Sequence, residues 1–325
     1  MKRIMATHYH SLFILLFAGF MCDKALSANT SYPQDLRYSV QSSFMKYQNT
    51  YPELRIAQIN VEDKVHITAN HVYSHASGRE LTMDIMRPTT QRNGRAVLLI
   101  HGGGWGSGHK THMHQLAKAL ALRGYVSACL EYRLSPEAAF PAAIEDIYQG
   151  IRWLSSQSST FNFNKNQISL LGGSSGGHLA SLVAYSAEHN VFIPNSNAYQ
   201  VNAVVNLDGV LDVASGEGLL AEDKNGNSDS ALARWLGGRF ADKTALWQQV
   251  SIPQYITNQS PSLLFISSGQ SRFKAGFKDL ERRLLQHGKR ARLVTLEHAP
   301  HPFWLFDPWL SGIVEPIDAF LQALP

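Results

Sequence analysis

Cysteine is nearly missing from this chain: only Cys22 and Cys129 occur in 325 residues. No disulfide framework can hold so sparse a set, so stability has to come from a buried core. Charge is also thin, at 17% of residues, and the lysines and arginines behind the formal net of +4 are scattered. That excludes the basic tracts that grip a phosphate backbone, and no nucleic-acid partner is expected. No apolar run of membrane length occurs after residue 28. The glycine-rich stretches lack both the lysine of a phosphate loop and the G-x-G-x-x-G spacing. The 14 histidines show no metal-ligand spacing. No metal and no organic cofactor is implied.

What is present is apolar residues, at 44%, enough for a sizeable core. Lys2 and Arg3 precede "SLFILLFAGFM" (11–21) and then "ALSA" (25–28), the order of a secretory signal. Residues 1–28 are read as that signal, cut after Ser27 or, as the next choice, after Ala28. The mature protein is expected in the periplasm or outside the cell, with no stable membrane association. Cleavage removes Lys2, Arg3 and Lys24 against Asp23, a net two positive charges, together with Cys22. Cys129, inside "YVSACLEYR", reads as a buried strand residue.

Residues 29–55 have weak periodicity and read as an N-terminal arm ahead of one domain, 56–325. "DKVHITANHVYSH" and "ELTMDIMRP", split by the turn signal "ASGR", predict an antiparallel hairpin. From "RAVLLIHGGGW" onward, short apolar runs alternate with helical patterns: "HMHQLAKALALRG", "YVSACLEYRL", "FPAAIEDIYQGIRWLSS", "QISLLG", "GHLASLVAYSAEH", "VNAVVNLDGVLD". Residues 213–258 break this rhythm, as an insertion over a site would. The alternation then resumes through "PSLLFISSG", "GFKDLERRLLQHG", "ARLVTLEHAPH" and a last helix through "IVEPIDAFLQAL". The pattern predicts an α/β fold with a mostly parallel sheet and helices on both faces.

In such a sheet ligands gather beyond the carboxyl ends of the strands. Three stretches fall there: "HGGGW" (101–105), "GGSSGG" (172–177) and "HAPHPFW" (298–304). A strand that ends in serine and turns at once into a helix must fold back sharply, so glycine is needed two residues before and two after it. Ser174 has Gly172 and Gly176; Ser175 has Gly173 and Gly177. A serine hydroxyl needs a base to take its proton and donors aimed at the oxyanion that its attack creates. The glycines of "HGGG" offer backbone N–H groups without side chains in the way.

These motifs resemble the α/β-hydrolase superfamily, in its hormone-sensitive-lipase-like and acetyl-esterase-like branch, from about residue 60 to the end. In that branch the elbow reads G-D-S-A-G-G, which lays the nucleophile on Ser174 and an oxyanion donor on the N–H of Ser175, with Gly103 and Gly104 as the other donors. The base falls on His301 through "PHPF", while His298 is assigned to the strand, His101 to structure and Asp146 to a structural role near the elbow. The acid departs from the pattern, since "QSRFKAG" puts Arg272 where an aspartate is usual. Asp279, the first carboxylate after that strand, is the preferred acid. Asp208 at the end of "VVNLD", or a dyad with no carboxylate, are the alternatives.

"SRFKAGFKDL" followed by "PHPFWLFDPW" also resembles the C-terminal region of bacterial pectin acetylesterases, in which the aspartate matching Asp279 is retained. That resemblance implies an exported serine esterase that deacetylates pectin or oligogalacturonides. Trp105, Arg272 and Trp304 are expected to bind substrate: Arg272, with Lys274, would meet uronate carboxylates and Trp304 would stack on a sugar ring. Trp309 is expected to pack the last helix. Acetylxylan or general short-chain esterase activity is the alternative. A catalytically silent carbohydrate-binding protein is the alternative of another class, and oligomeric state is left open.

Overall fold

The computed structural model describes residues 37–196, 201–223 and 230–325. The expected signal at 1–28 and the start of the arm, 29–36, lie outside the described residues. The arm contributes α1 (Val40–Tyr47), opened by a reciprocal cap in which the hydroxyls of Ser39 and Ser42 each accept the other's backbone N–H. Phe44 packs on Phe306 and Tyr51 on Trp309, which ties the arm to the end of the chain. Strand β1 (Arg55–Ile56) pairs antiparallel with β10 (Phe306–Asp307) and adds to that tie.

The main sheet begins with β2 (Val65–Ala76) and β3 (Arg79–Pro88), an antiparallel hairpin turning through Ser77 and Gly78 at positive φ. It continues with β4 (Ala96–Ile100), β5 (Val126–Leu130), β6 (Ile168–Gly173), β7 (Ala203–Leu207), β8 (Ser262–Ser267) and β9 (Ala291–Thr295). The spatial order is β2-β3-β5-β4-β6-β7-β8-β9, with every pairing from β5 to β9 parallel. Strands β4 to β8 are buried at every residue. That requires helices on both faces of the sheet.

Alternating side chains feed two cores. Leu98, Ile100 and Leu170 join the face covered by α3 (Ala142–Ser156) and, beyond the short α4 (Ser158–Phe161), α5 (Ser175–Ser186). Val97, Leu99 and Leu171 join the face covered by α2 (His114–Leu122) and α10 (Trp309–Gln322). Cys129 is buried and free in β5. The chain leaves β4 for β5 on one side and returns to β6 on the other, so the topological switch lies between β4 and β6. The crevice for a ligand opens at that point. The interrupted region carries α6 (Gly216–Glu222), α7 (Ala231–Leu236) and α8 (Phe240–Gln249), with residues 224–229 outside the described ones.

One buried polar cluster anchors the segment after β4 to the hairpin. Lys110 donates to Asp84, Thr82 and Asn70 at 2.8, 2.7 and 2.7 Å, and His114 lies 2.9 Å from the other Asp84 oxygen. The Lys110 and Asp84 side chains are only 5% and 4% exposed. Burial pushes the Asp84 carboxyl up, but the bonds from His114, Lys110 and Asn70 outweigh it and hold it well below the usual carboxylate range. Removing one member of a buried pair strands the other's charge, at a cost of about 3–5 kcal/mol. Asp84→Ala is therefore expected to lower the unfolding free energy by about that amount in urea titrations. Glu315→Ala, which breaks an exposed pair with Arg123, should cost under about 1 kcal/mol. Equal effects would contradict this account of the cluster.

Candidate active site

Ser174 sits between β6 and α5 at φ 55° and ψ −126°, a conformation that only a sharp turn imposes. The turn has no spare room. A Cβ on Gly172 would come 2.1 Å from the Gly176 oxygen, and one on Gly176 would come 2.3 Å from the Ile100 oxygen. Ser175 is different: it opens α5, is 3% exposed, and its hydroxyl finds no partner among the described residues. Its backbone N–H belongs to the first helical turn, which has no acceptor within the helix. Of the two serines, Ser174 presents its hydroxyl and Ser175 presents only its amide.

The Ser174 hydroxyl oxygen lies 2.8 Å from Nε2 of His301, and Nδ1 of His301 lies 3.1 Å from Asp208 Oδ2. The Asp208 carboxylate only accepts, so Nδ1 carries the proton and Nε2 is left to accept from Ser174. Asp208 follows β7 at φ 53°, is fully buried, and takes the Ser268 N–H on its other oxygen at 2.9 Å. The imidazole of His301 stacks on Phe273, with centroids 3.8 Å apart and planes 7° apart. The Arg272 guanidinium lies 4.1 Å from the same ring centroid, so it must occupy the opposite face. Burial lowers the His301 pKa; Asp208 pulls it back up through its bond and charge, while Arg272 and Lys46 lower it further.

Several expectations need correction. Asp279 does not reach His301: it lies in the first turn of α9 (Phe277–Gln286), where Arg282 and Arg283 take its carboxylate. Asp208 holds the imidazole instead. Trp304 is 1% exposed beneath the elbow, so close to Gly173 that a Cβ there would meet the indole at 2.5 Å. It cannot stack on a sugar. Trp105, by contrast, lines the smaller pocket beside Ser174, where it is 4% exposed and stacked on Trp235. His298 lies past the end of β9, exposed and at φ 54°.

Other residues stand where the sequence suggested. His101 is buried and stacks on Tyr132, Asp146 is held by Arg133, and Trp309 packs against Tyr51. Burial pushes the His101 pKa down to about 3.

Ser174 opens onto two spaces. A cleft of about 790 Å³ is lined by Gly103, Gly104 and His301, and by Lys46 and Arg37 of the arm. A smaller pocket of about 220 Å³ is lined by Trp105, Val210, Phe273 and Arg272. Gly103 and Gly104 have φ of 132° and 62°. The Gly103 carbonyl accepts from Ser107 N–H at 3.0 Å and from its hydroxyl at 2.8 Å. The N–H of Gly104 shares that planar unit and so points the opposite way. Phe273 and the arm cations were missed as site residues. "SRFK" has no periodic signal, and α1 is too short to stand out from a weakly patterned arm.

A mostly parallel sheet with a serine elbow at its topological switch, a histidine after the last strand of that sheet and a carboxylate behind it defines an α/β-hydrolase. The sequence pattern of the BD-FAE family matches residues 83–272. The chain belongs to that family. It is similar to Esterase LipQ of Mycobacterium tuberculosis, 28% identical over 238 residues that cover 68% of this chain and 55% of LipQ. Carboxylesterase NlhH of the same species is 30% identical over 101 residues, 31% of this chain and 32% of that one. The chain thus spans about half or less of these curated relatives. Esterase B from Lactobacillus rhamnosis superposes with a TM-score of 0.64 at 24% identity, covering 86% of this chain and 92% of that one. A truncated carbohydrate esterase from gut microbiota superposes with a TM-score of 0.64 at 19% identity, covering 80% and 98%.

The contacts around His301 make a prediction that needs no substrate. Asp208→Asn removes the charge that raises the imidazole pKa, so the ring should titrate at lower pH than in the parent protein. Asp279→Asn should leave its titration where it was. Side-chain NMR of the His301 ring checks both; a shift in the second variant and none in the first would refute the assignment of the carboxylate.

Proposed function

We propose that this chain is an exported serine carboxylic ester hydrolase that removes acetyl groups from a carbohydrate, most specifically acetylated pectin or oligogalacturonides. The observation that carries the reading is the aligned set Ser174 Oγ, His301 Nε2 and Nδ1, and Asp208 Oδ2, with contacts of 2.8 and 3.1 Å. Ser174 Oγ attacks the acetyl carbonyl carbon as His301 Nε2 takes its proton. The oxyanion sits among the N–H groups of Gly103, Gly104 and Ser175, each worth roughly 10²–10³ in rate in comparable sites. Collapse breaks the bond to the sugar oxygen, which leaves with the proton from Nε2. Water then gives a proton to His301 and attacks the acyl-Ser174. Acetate leaves and the serine recovers its proton.

The small pocket suits a short acyl group, because Trp105, Val210 and Phe273 close it at about 220 Å³. Two observations support a carbohydrate alcohol: the gut carbohydrate esterase has the same fold, and serine hydroxyls and two tyrosines line the larger cleft. The pectin reading rests on the resemblance of "SRFKAGFKDL" and "PHPFWLFDPW", and export rests on Lys2, Arg3 and the apolar run after them. The likeness to LipQ favours a second reading, a general short-chain carboxylesterase. The silent binding protein loses its motive once Asp208 supplies the acid.

With 4-nitrophenyl acetate, Ser174→Ala should abolish turnover, and Asp208→Asn should lower kcat by about 10⁴-fold, as loss of a triad carboxylate does elsewhere. Full activity in Ser174→Ala would refute the mechanism. Acetate release should be faster from acetylated pectin than from acetylated xylan; the opposite order would move the reading to the xylan or general esterase. The His301 pKa lies below its ordinary 6.5, so the neutral base persists into mildly acidic solution. The acidic limb of kcat/KM should therefore have its midpoint below 6.5, and a midpoint above that would contradict the site's electrostatics.

A further inference from the structure

We infer that His178, a buried histidine of α5 that takes no part in the proton transfer, is a positioning residue for the oxyanion loop and acts through the indole of Trp105. The inference rests on the esterase reading and adds to it a support for the oxyanion donors. His178 is 0% exposed and stands one helical turn after Ser174, whose carbonyl accepts its N–H. Trp105 Nε1 lies 3.3 Å from His178 Nδ1, and His178 Nε2 lies 2.9 Å from the Val250 oxygen. An indole N–H only donates and a carbonyl only accepts, so Nδ1 is the bare nitrogen and Nε2 carries the proton. Burial pushes the His178 pKa down to about 4, which keeps the ring in that neutral form. Both ring nitrogens are thus used.

What the ring holds is the far end of the oxyanion loop. Trp105 directly follows Gly103 and Gly104 and has φ 57°, a conformation that a non-glycine residue keeps only where its surroundings impose it. The near end of the loop is tied where the Gly103 carbonyl accepts twice from Ser107. The far end is tied by the Trp105 carbonyl, which accepts the Ser135 N–H at 2.9 Å, and by the indole. Stacking on Trp235 fixes the plane of the indole but leaves it free to slide within that plane. The bond to Nδ1 removes that freedom, because a hydrogen bond is directional. His178 meets both tryptophans edge-on, at 84° and 90°, and its second bond reaches Val250, which closes α8. The elbow helix, the oxyanion loop and the interrupted region therefore share one imidazole. Because His178 rides on the helix that begins at the nucleophile, it holds the N–H groups of Gly103 and Gly104 in register with Ser174 itself. Without the ring a buried indole N–H loses its acceptor, and the loop gains a reason to move.

Substitutions separate the two bonds. Asparagine places Oδ1 where Nδ1 stands, so His178→Asn keeps the acceptor for Trp105. Glutamine places its amide nitrogen where Nε2 stands, so His178→Gln keeps only the donor to Val250. Trp105→Phe removes the indole N–H and retains a ring against Trp235. His178→Gln and Trp105→Phe should each lower kcat on 4-nitrophenyl acetate about tenfold, with KM within about twofold of the parent, because the donors act on the transition state. Both should also weaken phenyl trifluoromethyl ketone, whose adduct with a serine carries an oxyanion, by about tenfold. His178→Asn should stay within about threefold of the parent in both measurements. The double variant Trp105→Phe/His178→Gln should lose no more than either single one. The His301 titration should not move in any of them, which separates the effect from one routed through the base. Trp105→Phe leaves α5 untouched, so its inhibition constant decides the matter where a His178 variant lowers the Tm. Unchanged ketone binding in Trp105→Phe, or equal losses in His178→Asn and His178→Gln, would overturn the role. The expected order of ketone binding in a parent that hydrolyses no acetyl ester would keep the role and sink the esterase reading.

Discussion

Everything at this site depends on a backbone held where serine does not choose to be. Ser174 at φ 55° carries a local strain of roughly 1–3 kcal/mol, tolerable only because its surroundings leave no alternative. Its N–H donates to the Leu207 oxygen at 2.8 Å, its carbonyl accepts the His178 N–H at 3.0 Å, and strand β6 behind it is buried at every residue. The glycines at 172 and 176 provide clearance for backbone atoms that approach within about 2 Å of where a Cβ would stand. Gly102 belongs to the same packing, since a Cβ there would come 2.5 Å from the Gly173 oxygen. The oxyanion loop and the elbow are therefore held against each other, backbone to backbone, and neither can drift without the other.

This dependence explains why the elbow was legible in the sequence and the acid was not. A steric requirement at fixed spacing leaves a mark in consecutive residues, and "GGSSGG" carries it. A hydrogen bond between residues 93 positions apart leaves none. Asp279 was preferred because it is the first carboxylate after the eighth strand, an argument from proximity along the chain. In the fold, β7 and β8 are neighbours, so the ends of both face the same histidine. Asp208 reaches it because its positive φ turns the side chain back over the sheet edge, while a helix turn carries Asp279 to Arg282 and Arg283. The one local sign was an aspartate directly followed by glycine at the end of an apolar strand, "NLDG".

The tryptophans show the same limit in a different way. A Trp beside a catalytic motif reads equally well as a platform for a ligand or as a piece of core. Only the third dimension separates them. Trp304 fills the space under Gly173, and Trp105 stacks on Trp235 with planes 12° apart, a partner 130 positions away. The alternation of strands and helices was recoverable because a fully buried strand and a one-sided helix have different periods. Weak periodicity concealed α1 for the complementary reason: it buries only part of one side, and its other side faces the cleft.

His301 draws these features together, because its environment asks for two opposed properties. To accept the serine proton the imidazole must be neutral, which burial, Arg272 and Lys46 favour. To hold that proton through the tetrahedral stage it must tolerate charge, which the Asp208 carboxylate and the face of Phe273 favour. A buried imidazole without the carboxylate would be a neutral but weak base, and the nearby cations add to burial in opposing the carboxylate's upward pull. Arg272, placed where an acid was anticipated, thus has a coherent role from the far side of Phe273. The tuning extends to the arm, since the Lys46 ammonium is one of the charges acting on the ring.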